Sequence, residues 1–203
     1  MDIAQIIFAI LMGFSLAATC GLRAFLPLLI IGIAAKTGYV SLAPGFEWMM
    51  SWPAIICFGS ATVLEILGDK FPAVDHVLDA AGIVVRPVAG ALAASSMIQG
   101  MDPLLALVIG IIMGATIAAV VQTIKGGLRI FSTATTGGVA NPIISTAEDS
   151  ATAAAGIMGI LIPALAAALI LTVLLVGGWL ILGRLRRKQP ARSTAPVMGP
   201  GET

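Results

Sequence analysis

Residues 104–124 read LLALVIGIIMGATIAAVVQTI, with no charged side chain among them. As a helix rising 1.5 Å per residue, such a stretch is about 30 Å long, which matches the hydrocarbon core of a bilayer. Asp102 followed by Pro103 is a helix-start signal immediately before it. Lys125 closes the run. The segment therefore reads as a membrane span, and the rest of the chain can be read outward from it.

Five further apolar stretches lie at 3–20, 24–35, 52–67, 80–97 and 151–183. The second is short for a span and is either a tilted crossing or a re-entrant segment supported by neighbours. The last is unusually long and contains Pro163, so a kink or strong tilt is expected. The loop 37–51 carries the turn pair Pro44-Gly45. Its aromatic residues Tyr39, Phe46 and Trp48, with Trp52 just after it, suit an interfacial belt. Residues 132–138, Ser-Thr-Ala-Thr-Thr-Gly-Gly, are too rich in Gly and Thr for a lipid-facing helix and read as a re-entrant loop.

Composition agrees. Of 203 residues, 59% are hydrophobic and 10% charged, where a soluble domain carries about 25% charged residues. Mean hydropathy is +1.06. Too few charges remain to coat a water-facing globule. The expected fold is all-α: a polytopic transmembrane bundle of about six spans, with one or two short or re-entrant segments. It forms a single domain over 1–183, followed by a basic, disordered tail at 184–203 that is rich in Pro, Gly and small polar residues.

Net charge is +1, which suggests no nucleic-acid partner. Five of the eleven basic residues, Arg184, Arg186, Arg187, Lys188 and Arg192, fall in the tail. Basic residues flanking a span are retained in the cytoplasm, so a multi-pass inner-membrane protein with a cytoplasmic C-terminus is expected. Met1-Asp2-Ile3 lacks a positive n-region, and Ala18-Thr19-Cys20 is a poor cleavage site, so the first stretch reads as a retained helix. Cys20 and Cys57 are not spaced as a metal motif.

Several landmarks recur in order. Gly21-Leu22-Arg23-Ala24-Phe25 returns as Gly127-Leu128-Arg129-Ile130-Phe131, and Met12-Gly13 as Met113-Gly114. Ala80-Ala81-Gly82-Ile83 before Pro87 resembles Ala154-Ala155-Gly156-Ile157 before Pro163. Glu65 and Asp69 in one half answer Glu148 and Asp149 in the other. This order suggests an internal duplication with repeats 3–99 and 103–183. Two topologies stay open. If 24–35 spans, the charges converge near one face; if it is re-entrant, the halves are inverted and the charges divide between two faces.

Gly21-Leu22-Arg23-Ala24-Phe25-Leu26-Pro27, Glu65 with Gly68-Asp69-Lys70-Phe71-Pro72 and Asp75, and Arg86-Pro87 together resemble a bacterial membrane family catalogued as domain of unknown function 4126. The resemblance extends over about 3–182. It implies a multi-span membrane fold and brings no established activity, so no catalytic residue is carried over.

Charged groups inside apolar segments cost about 2.5–3.5 kcal/mol each on insertion scales. They are therefore the candidates for function: Arg23, Glu65, Asp69, Arg86, Arg129, Glu148 and Asp149, with Asn141 in the polar segment before the last stretch. Arg23 and Arg129 are either interface anchors that snorkel or paired donor forks for an anion or carboxylate. Arg86 calls for a buried partner, Asp79 or Asp75. The 65–79 stretch, with His76, reads as a charged loop in preference to a metal site. The leading functional reading is a small permease, a secondary transporter or channel, for an anionic or zwitterionic solute with proton or cation coupling. A non-catalytic membrane scaffold or accessory subunit is the alternative. A membrane-embedded enzyme on a lipid-linked substrate comes third, since no hydrolase or transferase motif is recognisable. No cofactor is implied. The partners implied are the lipid bilayer, a small solute or ion, and a second copy of the chain.

Overall fold

A computed structural model describes residues 3–69, 71–137 and 139–187; the side chains of Pro72, Ala73, Asp75, His76, Asn141, Pro142 and of 180–187 lie outside that description. The described residues form α-helices and one 3-10 turn, with no strand: α1 (Ile3–Leu22), α2 (Phe25–Lys36), the 3-10 turn Glu47–Met50, α3 (Trp52–Gly68), α4 (Pro72–Met97), α5 (Pro103–Thr136), α6 (Asn141–Leu161) and α7 (Pro163–Arg187). Three of these hold stretches long and apolar enough to cross a membrane: Ile3–Leu22, Val77–Met97 and Pro103–Thr136. Phe25–Lys36, Trp52–Gly68 and Pro163–Trp179 are shorter apolar helices.

Local chemistry sets the ends. The Asp102 carboxylate accepts from the N–H groups of Leu104 (3.0 Å) and Leu105 (3.2 Å), with Pro103 in the first turn. These satisfy donors that a helix start otherwise leaves orphaned. Ser51 does the same for α3, its hydroxyl accepting from Ala54 N–H. α5 stops where Gly137 adopts φ +62°, a left-handed conformation that glycine enters without a Cβ penalty.

Three sequence expectations are corrected. Residues 132–136 are not a re-entrant loop but the last turns of α5; the Thr135 and Thr136 hydroxyls bond back to carbonyls in the preceding turn, Thr135 to Phe131 and Thr136 to Ser132. The polar stretch after Gly68 is only briefly a loop, because Pro72 starts α4 and Asp79 lies on that helix. The long final stretch is two helices, broken at Ile162, whose conformation the following Pro163 restricts.

α1, α4 and α5 form the central layer, and small residues let them approach. A Cβ at Gly90 of α4 would lie 2.6 Å from the Gly114 carbonyl oxygen of α5, and one at Gly13 of α1 would lie 3.1 Å from the Ala94 carbonyl oxygen. Gly110 similarly meets Ser95. These pairings run in opposite directions along α4 and α5, and α1 also opposes α4, so α1 and α5 are parallel. The buried core, which includes Leu16, Cys20, Leu28, Ile31, Met49, Phe58, Ala89, Ala93 and Ala118, fills the space between this layer and the α2–α3 pair. Outward faces are apolar: Ile112 and Leu104 of α5, Val173 and Leu175 of α7, and Val63 and Leu64 of α3 are all exposed. A surface this oily is suited to hydrocarbon rather than water.

α2 leaves from the end of α1, and its following loop reaches the C-terminal end of α4. There Ala43 N–H donates to the Ser96 carbonyl (2.8 Å) and Gln99 donates to the Ser41 carbonyl. α3 then returns, bringing Glu65 beside Ala24. One end of the bundle therefore collects the end of α1, the end of α3, the start of α4, the later turns of α5 and the start of α6.

Candidate functional site

That shared end holds a buried ionic network. Arg23 sits between α1 and α2 and is 0% exposed. Its Nη1 lies 2.7 Å from Asp69 Oδ2, and its Nη2 lies 2.6 Å from Asp149 Oδ1. The guanidinium also donates to the Glu65 backbone carbonyl (3.2 Å) and the Ser145 hydroxyl (3.0 Å). Arg129, three-quarters of the way along α5, reaches the same Asp69 Oδ2 at 3.0 Å. The two arginines of the recurring Gly-Leu-Arg segments thus share one carboxylate oxygen. Ser145 donates a further hydrogen bond to that oxygen at 3.0 Å.

The network continues outward. Arg129 pairs with Asp79 (3.0 Å) and Glu148 (3.3 Å), and Lys125 Nζ sits 2.9 Å from Glu148. Lys125 also donates to the Leu22 carbonyl at 3.0 Å, tying α5 to the end of α1. Arg86, 2% exposed, lies 3.3 Å from Asp79 and 4.0 Å from Glu65. Glu65 has a second task. Its oxygens accept from the N–H groups of Ala24 (3.1 Å) and Phe25 (3.4 Å), capping α2, whose own N-cap residue offers no side-chain acceptor.

Such burial is tolerable only because the charges are paired, since the desolvation penalty is several kcal/mol per ion. Burial pushes the Asp69 carboxyl up. Arg23, Arg129 and Lys125, together with the Ser145 hydrogen bond, outweigh it and hold the group below the usual carboxylate range. The described side chains of the network comprise four cations, Arg23, Arg86, Lys125 and Arg129, against five carboxylates, Glu65, Asp69, Asp79, Glu148 and Asp149.

Of the residues singled out from sequence, Arg23, Glu65, Asp69, Arg86, Arg129, Glu148 and Asp149 therefore meet in one cluster. Both arginines of the Gly-Leu-Arg segments are buried in ion pairs, and these charges gather at one end of the bundle. The side chain of Asn141, at the start of α6, lies outside those described. Lys125, Asp79 and Ser145 are additions. Lys125 was findable, because it precedes Arg129 by four positions and so shares its helix face. Asp79 was legible only as a partner for Arg86. Ser145 carried no signal of its own. Among the described residues no three His, Cys, Asp or Glu side chains are arranged to hold a metal ion, and Asp75 and His76 lie outside the described side chains.

Three openings border the cluster, the smallest of about 190 Å³ beside Glu65 and Arg86. A groove of about 850 Å³ between α4 and α5 has Asp79, Arg86 and Arg129 in its lining, with Ile83, Ala119, Gln122, Thr123, Ile130 and Thr133. A second, of about 490 Å³, is bounded by α1, α5, α6 and α7, and is apolar except for Thr19 and, from the network, Lys125 and Glu148.

The family described as a domain of unknown function, DUF4126, matches residues 10–182, and the chain belongs to it. No curated protein and no solved structure matches the chain.

Proposed function

We propose that the protein is a small, non-catalytic membrane permease for an anionic or zwitterionic solute, with movement coupled to a proton or cation. The observation that carries this reading is the sharing of Asp69 Oδ2 by Arg23 and Arg129 at the edge of an open, arginine-lined groove. Ion pairs that share an acceptor are exchangeable: a guanidinium that loses one carboxylate has another, or a solute anion, within reach. Among the described side chains the carboxylates outnumber the cations by one, which favours a proton or cation as the balancing charge. Broken helices meeting at a polar site support the same reading, because α1 and α2 part at Arg23 beside that site. In this reading the two Gly-Leu-Arg segments descend from a duplication. The bundle crosses the inner membrane about six times with a cytoplasmic C-terminus.

A second reading, a scaffold or accessory subunit, is favoured by the number of helices that the network pins. Liposomes containing the purified protein decide between them. The permease carries a labelled anion or zwitterion down an imposed gradient, and Arg23→Gln or Glu65→Gln stops the flux while the protein remains folded. Folded, correctly inserted protein that passes nothing from a panel of such solutes under proton or sodium gradients overturns the permease reading in favour of the scaffold.

A further inference from the structure

Asp79 differs from the other carboxylates of the network. It is 37% exposed at the side chain, whereas Asp69 is 2% and Glu148 is 10% exposed. Its two oxygens are divided between two arginines: Oδ1 lies 3.3 Å from Arg86 Nη2, and Oδ2 lies 3.0 Å from Arg129 Nη1. All three residues line the groove between α4 and α5. Gly82 leaves space for the Arg86 guanidinium against α4; a Cβ there would lie 3.0 Å from Cζ and 3.1 Å from Nε. Arg86 Nε is buried and has no acceptor among the described residues, so its donor set is incompletely used.

The geometry points to Asp79 as a resident stand-in for the ligand. Its carboxylate occupies the Arg86–Arg129 pair, and the groove is the site at which a small organic carboxylate with an apolar body replaces it. The substrate class follows from the lining. Two guanidinium forks match a planar carboxylate, while Ile83, Ala119 and Ile130 offer an apolar wall to the rest of the molecule. Inorganic phosphate shares the anionic head but would leave that wall unfilled. Replacement needs no covalent step: Asp79 swings into the open groove as the incoming carboxylate takes its two partners. This inference deepens the permease reading and rests on it for the physiological role, but the binding event can be tested without transport.

The full-length protein in detergent micelles is titrated with benzoate, and separately with inorganic phosphate, by equilibrium dialysis. If Asp79 holds the pair in about nine molecules of ten, removing its charge tightens ligand binding about tenfold. Asp79→Asn is therefore expected to bind benzoate about tenfold more tightly than the wild type. Adding Arg86→Gln to that variant should abolish the gain. Asp79→Ser serves the same purpose should the asparagine variant fail to fold. Benzoate binding that is undetectable in the neutral variants, or no tighter than in wild type, overturns the inference. So does a gain that survives Arg86→Gln, and a gain seen for phosphate alone overturns the organic-carboxylate class. Tightened benzoate binding without flux in liposomes leaves the site standing and removes the permease. Flux with binding indifferent to Asp79 does the reverse.

Discussion

The two halves of the bundle's depth are held by different forces. Where α1, α4 and α5 cross at Gly13, Ala94, Gly90, Gly114, Gly110 and Ser95, the helices are separated by little more than backbone. Attraction there is dispersion over close surfaces, which in lipid takes over the role that water exclusion plays in soluble proteins. Where Arg23, Asp69, Arg129 and Glu148 meet, the helices are held by ion pairs that burial makes costly to assemble and costlier to break. Close-packed contacts alone would hold helices together without that cost. The permease reading gives these buried ions an exchange of partners, and the scaffold reading gives them the fixing of one arrangement.

The largest loss is expected where the shared carboxylate charge is removed. Asp69→Asn replaces the charge that Arg23 and Arg129 share with a neutral amide, leaving Arg23 to Asp149 and Arg129 to Asp79 and Glu148, and should destabilise the protein by about 3 kcal/mol in equilibrium unfolding in mixed micelles. Lys125→Met, at the margin of the network, deprives the Leu22 carbonyl and Glu148 of a charged donor; Glu148 keeps Arg129, so a loss of about 1.5–3 kcal/mol is expected in the same assay. In the close-packed half, Gly90→Val drives branched carbons against the Gly114 carbonyl and Ala118, with an expected loss of about 1–3 kcal/mol. That loss should not change between low and high salt. Lys36→Gln belongs to neither region. It removes an exposed ammonium 4.6 Å from the Trp52 ring, and about 0.5–1 kcal/mol should be lost.

Acid sharpens the same contrast. Because Asp69 is held below its unfolded value, its contribution is fully present above the ordinary carboxylate range. It is lost as pH falls through the lower, folded value. Acid unfolding of the wild type should therefore extend below that range. Asp69→Asn should show a flatter pH profile there, and Gly90→Val should keep the wild-type slope from a lower starting point.

The sequence alone determined the all-helical, oily character of the chain, because charge-free runs the length of a bilayer leave few alternatives. It also located most helices and most members of the ionic cluster, since an arginine or glutamate in such a run is expensive enough to require a partner. It misjudged 132–136 and the start of α4, where Ser, Thr and Asp read as loop. The Thr135 and Thr136 hydroxyls bond back along α5, and the Asp79 carboxylate pairs with Arg86 and, across the bundle, with Arg129, which composition cannot foretell. It took the packing of the helices to bring Arg23 and Arg129, more than a hundred residues apart, onto one oxygen of Asp69, to set Glu65 over the start of α2, and to turn Asp79 to an open groove. Helix periodicity fixes which residues share a face of one helix. Which faces meet is set by the parallel run of α1 and α5 and by the glycines that let α4 pack close against both.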